Sequence, residues 1–131
     1  LFRSVDIRSA APALVAFHAA KKVSNAVIVE QFIIGKDYRL LVINNVMVAA
    51  ALRTPAHVVG DGVSTVQQLI DKVNSDPRRG YGHEKVLTQI TVNVLTLTII
   101  KDAGYTLDSV LAKDEILILK DTANLSTGGT A

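Results

Sequence analysis

The sequence predicts an α+β fold, mostly antiparallel, with two to three helices. Three features carry that expectation. Apolar residues recur at helical spacing just after "GDG" (60–62), and two apolar runs flank an Asn44-Asn45 pair. Near the end, "EILILKDT" (115–122) alternates in the manner of a half-buried strand.

In chain order, Pro12 is suited to a first helical turn. "PALVAFHAAKKVS" then predicts a helix, with Ala13, Ala16, Phe17 and Ala20 at helical spacing and Lys21-Lys22 near its C-terminal end. "AVIVEQFI" (26–33) is a nearly continuous β-branched and aromatic run and predicts a buried strand. "DYRLLVI" and "VMVAAAL" predict two more strands, closed into a hairpin by a tight turn at Asn44-Asn45. Ser64 and Gln67 form a Ser-x-x-Gln capping box. Val66, Leu69, Ile70 and Val73 follow at i, i+3, i+4 and i+7, which predicts a helix. "NSDPRRGYGHE" (74–84), punctuated by Pro77, Gly80 and Gly82, predicts a loop. Over 93–104 two patterns compete: Leu95, Leu97 and Ile99 alternate with threonines, as in a strand, while an Asn93 cap and a Gly104 stop fit a helix. The helix is the favoured reading.

Composition narrows the function classes. At 49% apolar and 20% charged, the chain can bury a core. Its net charge of +2, three Phe, three Tyr and no Trp argue against bulk nucleic-acid binding. No cysteine is present, which excludes disulfide and thiolate chemistry and fits a reducing cytoplasm. Runs such as "VMVAAAL" fall far short of the roughly 20 apolar residues that span a bilayer. The chain opens without Met and ends at "STGGTA", so it reads as a piece of a longer protein.

Asp37 and Arg39 stand two apart on a strand and so share one face. Alone, they read as an ion pair or as solvated charges. The hairpin returns Arg53 beside Arg39, and two guanidiniums repel unless an anion or carboxylate intervenes. Planar, multi-donor arginine suits phosphate and carboxylate, but two solvated arginines at strand ends are an equally open reading. "TANLSTGGTA" (122–131) adds Asn124, Ser126 and Thr127, with Gly128-Gly129 allowing close backbone approach to a ligand. It lacks P-loop spacing, and no GxGxxG occurs. His18, His57 and His83 are scattered, so no metal site is expected. "DPRRGYGHE" reads as an exposed basic loop, with a phosphate or RNA contact as the alternative.

Taken together, "VIVEQFIIGKDYRLLVI", "DPRRGYGHE", "GYTLDSV" and "TANLSTGGTA" resemble, in order and spacing, the ATP-grasp region of cyanophycin synthetases. The likeness runs from about residue 10 to the end. A related segment occurs in bifunctional glutamate–cysteine ligase/glutathione synthetases; "GYTLDSV" and "RRGYGHE" favour the former. The resemblance implies a partial ATP-grasp fold, with residues 1–29 ending the ATP-binding lid subdomain and residues 30–131 forming part of the core. It implies a parent ligase that activates a polymer's C-terminal carboxylate as an acyl phosphate for attack by aspartate. ATP, Mg2+ (with ligands outside this stretch), aspartate and an aspartate–arginine polymer primer are then the partners. A cytoplasmic, homo-oligomeric parent without nucleic-acid or membrane partners is also implied.

Mapped onto this sequence, Glu30, Gln31 and Ile33 match the segment that meets adenine, and Asp37 the acid on the ribose hydroxyls. Arg39 and Arg53 match catalytic positions facing phosphates and the reacting carboxylate. Asn124 and Ser126 match the element that binds the polymer end. Departures fall in turns: Ile34-Gly35 stands for a Pro-Gly, Asn45-Val46 for a Gly-Lys, and Asp114 for a Gly. The family's glycine-rich lid loop and its acidic magnesium ligands have no counterpart in this stretch, so the stretch alone is expected to be inactive. A competing reading from another class is a non-catalytic α+β module that binds an acidic partner through the basic loop.

Overall fold

A computed structural model describes Ser4, residues 7–82 and residues 84–131. The chain divides into two compact units, 1–35 and 36–131. In the first, α1 (Ala10–Lys21) buries none of its residues. Pro12 sits in its first turn, where a missing N–H breaks no intrahelical bond. Residues 26–34 form no strand, and Ile28 and Val29 are more than four-fifths exposed. This corrects the expected buried strand at 26–33. Side-chain composition favours an extended backbone, but a strand exists only where a neighbour takes its hydrogen bonds. Among the described residues none pairs with this stretch.

The second unit starts with the hairpin. β1 (Asp37–Ile43) and β2 (Val46–Arg53) pair antiparallel from Asp37↔Arg53 to Ile43↔Val46, with an irregularity at Leu41/Val42. Asn44 (φ 49°) and Asn45 (φ 62°) both adopt the left-handed conformation that a two-residue hairpin turn requires. Every residue of β1 is exposed.

The core lies beyond the hairpin. β3 (His57–Val59) pairs antiparallel with β6 (Ile116–Ile118), setting buried Val58 opposite buried Leu117. Onto this pair pack α2 (Val66–Asn74), through Val66, Leu69 and Ile70, and α3 (Val94–Asp102), through Ile100. Ile90, Leu111 and Leu119 complete the cluster. β4 (Arg79–Gly80) and β5 (Leu87–Thr88) form a short parallel pair. The described residues thus hold three α-helices and three two-stranded sheets, two of them antiparallel. The α+β expectation holds, and the favoured helix at 93–104 is α3.

The caps explain where the helices begin. The box on α2 is Thr65 with Gln68, one residue later than expected: Thr65 Oγ1 accepts from the Gln68 N–H, and Gln68 Oε1 from the Thr65 N–H. Ser64 is drawn away because its N–H and hydroxyl both donate to the Asp61 carboxylate, at 2.7 and 2.8 Å. On α3, Asn93 Oδ1 accepts from the Thr96 N–H at 3.0 Å, which decides between strand and helix in favour of helix. Buried Lys120 donates to Thr96 Oγ1 (2.6 Å) and to the Thr91 carbonyl (3.0 Å), and burial pushes its pKa below the ordinary lysine value. Asp114 stands at φ 65°, the left-handed region that suits the glycine implied there.

Truncating Ile70 to alanine should cost about 2–5 kcal/mol, read as a lowered urea midpoint at unchanged slope. Asp61 supplies a pH test. Backbone and hydroxyl hydrogen bonds from Ser64 hold its carboxyl at about 2, below the ordinary 3.8. Its contribution is therefore complete above 3.8 and lost as the pH falls to about 2. The difference in melting temperature between wild type and Asp61→Asn is expected to be constant above that window and to close within it.

Candidate functional site

The site is assembled at the foot of the hairpin. Directly after Arg53, Thr54 exchanges two backbone hydrogen bonds with Thr130, at 2.8 and 3.0 Å. This sets the end of β2 beside the 3-10 turn Leu125–Thr127. The turn closes on the Asn124 carbonyl, which accepts from the N–H groups of Thr127 (3.1 Å) and Gly129 (3.0 Å) and from the Thr127 hydroxyl (3.0 Å). Its two glycines are required. Gly128 has φ +93°, and a Cβ there would lie 2.7 Å from Ile90 Cγ1. A Cβ on Gly129 would lie 2.8 Å from the carbonyls of Asn124 and Thr54.

Between these elements lies a cleft of about 320 Å³. Arg39, Arg53, Asn124 and Ser126, all singled out in the sequence, line it together. Lys85, Val86 and Thr88 line it from the β4–β5 side. Asp37 stands directly across the hairpin from Arg53 and grips it in a fork: Arg53 Nε donates to Oδ1 at 3.1 Å and Nη2 to Oδ2 at 2.6 Å. Arg39 lies opposite Ala51 instead. The carboxylate therefore neutralises Arg53, while Arg39 and Lys85 make no ion pair among the described residues. The cleft thus presents unpaired positive charge beside hydroxyl and amide groups, a set suited to phosphate or carboxylate. Glu30, Gln31 and Ile33 belong to the 1–35 unit, on an exposed stretch without regular secondary structure.

The basic loop is largely exposed, as expected, but Arg79 departs from that reading. Arg79 is buried, its Nη1 donating to the carbonyls of Thr88 (2.7 Å) and Gly128 (3.0 Å), and burial pushes its pKa down. Arg78 clasps Asp76 at 2.7 Å and holds that carboxyl at about 2. Arg78 is exposed as expected, though paired with Asp76, while Arg79 is buried. Sequence reasoning missed Lys85 and Thr88, which belong to no motif. Among the described residues no cluster of three or more His, Cys, Asp or Glu could hold a metal ion. His83, one of the three scattered histidines, lies outside those residues. No helix among them is long and apolar enough to cross a membrane.

Over 98% of its length the chain is 51% identical to a cyanophycin synthetase of Nostoc sp. and 48% identical to that of Synechocystis sp.. This chain is a relative of the cyanophycin synthetases. It spans only 14% of the Nostoc cyanophycin synthetase and 15% of the Synechocystis one. A bifunctional glutathione biosynthesis protein of Enterococcus faecalis is 42% identical over 87% of the chain, or 15% of its own length. The crystal structure of a bifunctional glutathione synthetase from Pasteurella multocida matches with TM-score 0.67 and 38% identity, over 75% of this chain and 13% of that one. That likeness supports a partial ATP-grasp fold, the architecture implied by the cyanophycin synthetase resemblance. No protein-family profile matches the chain.

The Asp37–Arg53 fork is half-exposed on its acid side, so its worth to folding is small. Asp37→Ala is expected to cost no more than about 1 kcal/mol in chemical denaturation. A loss several times larger would contradict the exposed geometry.

Proposed function

We propose that this chain is part of the ATP-grasp unit of a cyanophycin-synthetase-type ligase. In this reading the parent transfers the γ-phosphoryl group of ATP to a polymer's C-terminal carboxylate. The amine of aspartate then attacks the acyl phosphate, forming an amide and releasing phosphate. Residues 1–29 end the lid subdomain, and residues 30–131 form part of the core. Glu30, Gln31 and Ile33 meet adenine, and Asp37 meets the ribose. Arg39 and Arg53 face the phosphates and the reacting carboxylate, where fixed positive charge opposes the negative charge developing in transfer. Asn124 and Ser126 hold the polymer end. The described residues offer no cluster suited to magnesium, so no step is assigned to a metal on this chain.

The observation that carries this reading is the cleft itself. Arg39, Arg53 and Lys85 converge on the glycine-closed turn at Asn124 in a chain so similar to cyanophycin synthetases. A glutathione-forming ligase is the second reading, favoured by the likeness to the Pasteurella multocida enzyme. Substrate choice separates the two. In the full-length parent, ADP release is expected to depend on aspartate and an aspartate–arginine primer, and not on γ-glutamylcysteine and glycine. Arg39→Ala and Arg53→Ala should each lower it by about 100-fold. Unchanged rates in both variants would refute the assignment.

A further inference from the structure

We infer that Arg79 is a positioning residue for the substrate carboxylate, fixing the distance between the two walls of the cleft. The inference rests on the ligase reading above. One nitrogen of its guanidinium holds both walls: Nη1 donates to the carbonyl of Thr88, which lines one side, and to that of Gly128, which closes the turn behind Asn124 and Ser126. Removing this bridge would leave the turn held by Thr54 and by the packing of Gly128 on Ile90, and the other wall held by the β4–β5 pair, with no hydrogen bond joining the two.

A structural tie alone does not need a charge. A few residues away, Asn74 does comparable work with a neutral amide, donating to the Ile90 carbonyl (2.9 Å) and accepting from the Ile90 N–H (2.7 Å). Burying a guanidinium is costly, and a buried cation is usually matched by a carboxylate. Among the described residues Arg79 makes no ion pair, and the nearby acid Asp76 is engaged by Arg78. An arginine stays protonated even when burial disfavours its charge. The result is a fixed positive charge that lines a separate cavity with His57, Lys72 and Gly128, and that is bonded through the Thr88 carbonyl to a cleft whose ligand, in this reading, is anionic. Substrate binding supplies the compensation that the described residues do not.

The test is steady-state kinetics of the full-length parent and its Arg79→Gln and Arg79→Lys variants, with ATP and the aspartate–arginine primer varied in turn. Arg79→Gln is expected to raise the KM for primer about tenfold while leaving the KM for ATP within about twofold. Arg79→Lys, which keeps the charge but not the fork, should fall between wild type and Arg79→Gln. Variants with a lower melting temperature and unchanged KM for primer would overturn the inference and reduce Arg79 to a structural tie. A parallel rise in both KM values would overturn it too. Should Arg79→Gln fail to fold, Arg79→Lys decides by the same split. A wild-type parent inactive with primer and aspartate would instead defeat the ligase reading on which the inference rests, so the two failures are told apart.

Discussion

The two backbone hydrogen bonds between Thr54 and Thr130 join parts of the chain that are far apart in sequence. They set the end of the hairpin against the Asn124 turn, and Arg39, Arg53, Asn124 and Ser126 take their places at the cleft from that junction. Closing so large a loop is entropically unfavourable by itself. The β3–β6 pair removes most of that cost, because His57 and Ile118 are already partners. Only the short connections from Thr54 to His57 and from Ile118 to Thr130 then remain to be ordered. The apolar cluster beneath Val58 and Leu117 is in this sense what holds a polar site together, although none of its members lines the cleft.

Charge at the site is graded. Arg53 is neutralised by Asp37, Arg39 and Lys85 face the cleft without ion pairs, and Arg79 stands buried behind the turn. An arrangement of this kind attracts an anion while one of its cleft-lining guanidiniums, Arg53, has its own carboxylate. At "DPRRG" the exposed charge is reduced, because Arg78 is clasped by Asp76 and Arg79 is buried.

What was legible in the sequence was local. The helical spacing of Val66, Leu69, Ile70 and Val73, the Asn44-Asn45 turn and the Asn93 cap depend on residues within a few positions of one another, and all three are present. The capping box slipped by one residue because Ser64 had a rival acceptor, Asp61, only three residues back. The strand expected at 26–33 failed for a nonlocal reason: β propensity describes a chain segment, not the partner it needs. Arg79 was misread on the same ground. The carbonyls that bury it come from Thr88 and Gly128, and nothing in "DPRRG" announces either. The Asn44-Asn45 hairpin alone brought Arg53 back beside Arg39 but left their role open; that Asn124 and Ser126 would join them was expected only through family likeness.

The exposed hairpin has a consequence for solubility. Leu40, Leu41, Val42 and Ile43 on β1 and Val46, Met47 and Val48 on β2 are each more than half exposed. An apolar ribbon of that length in contact with water favours self-association of this stretch when it is isolated.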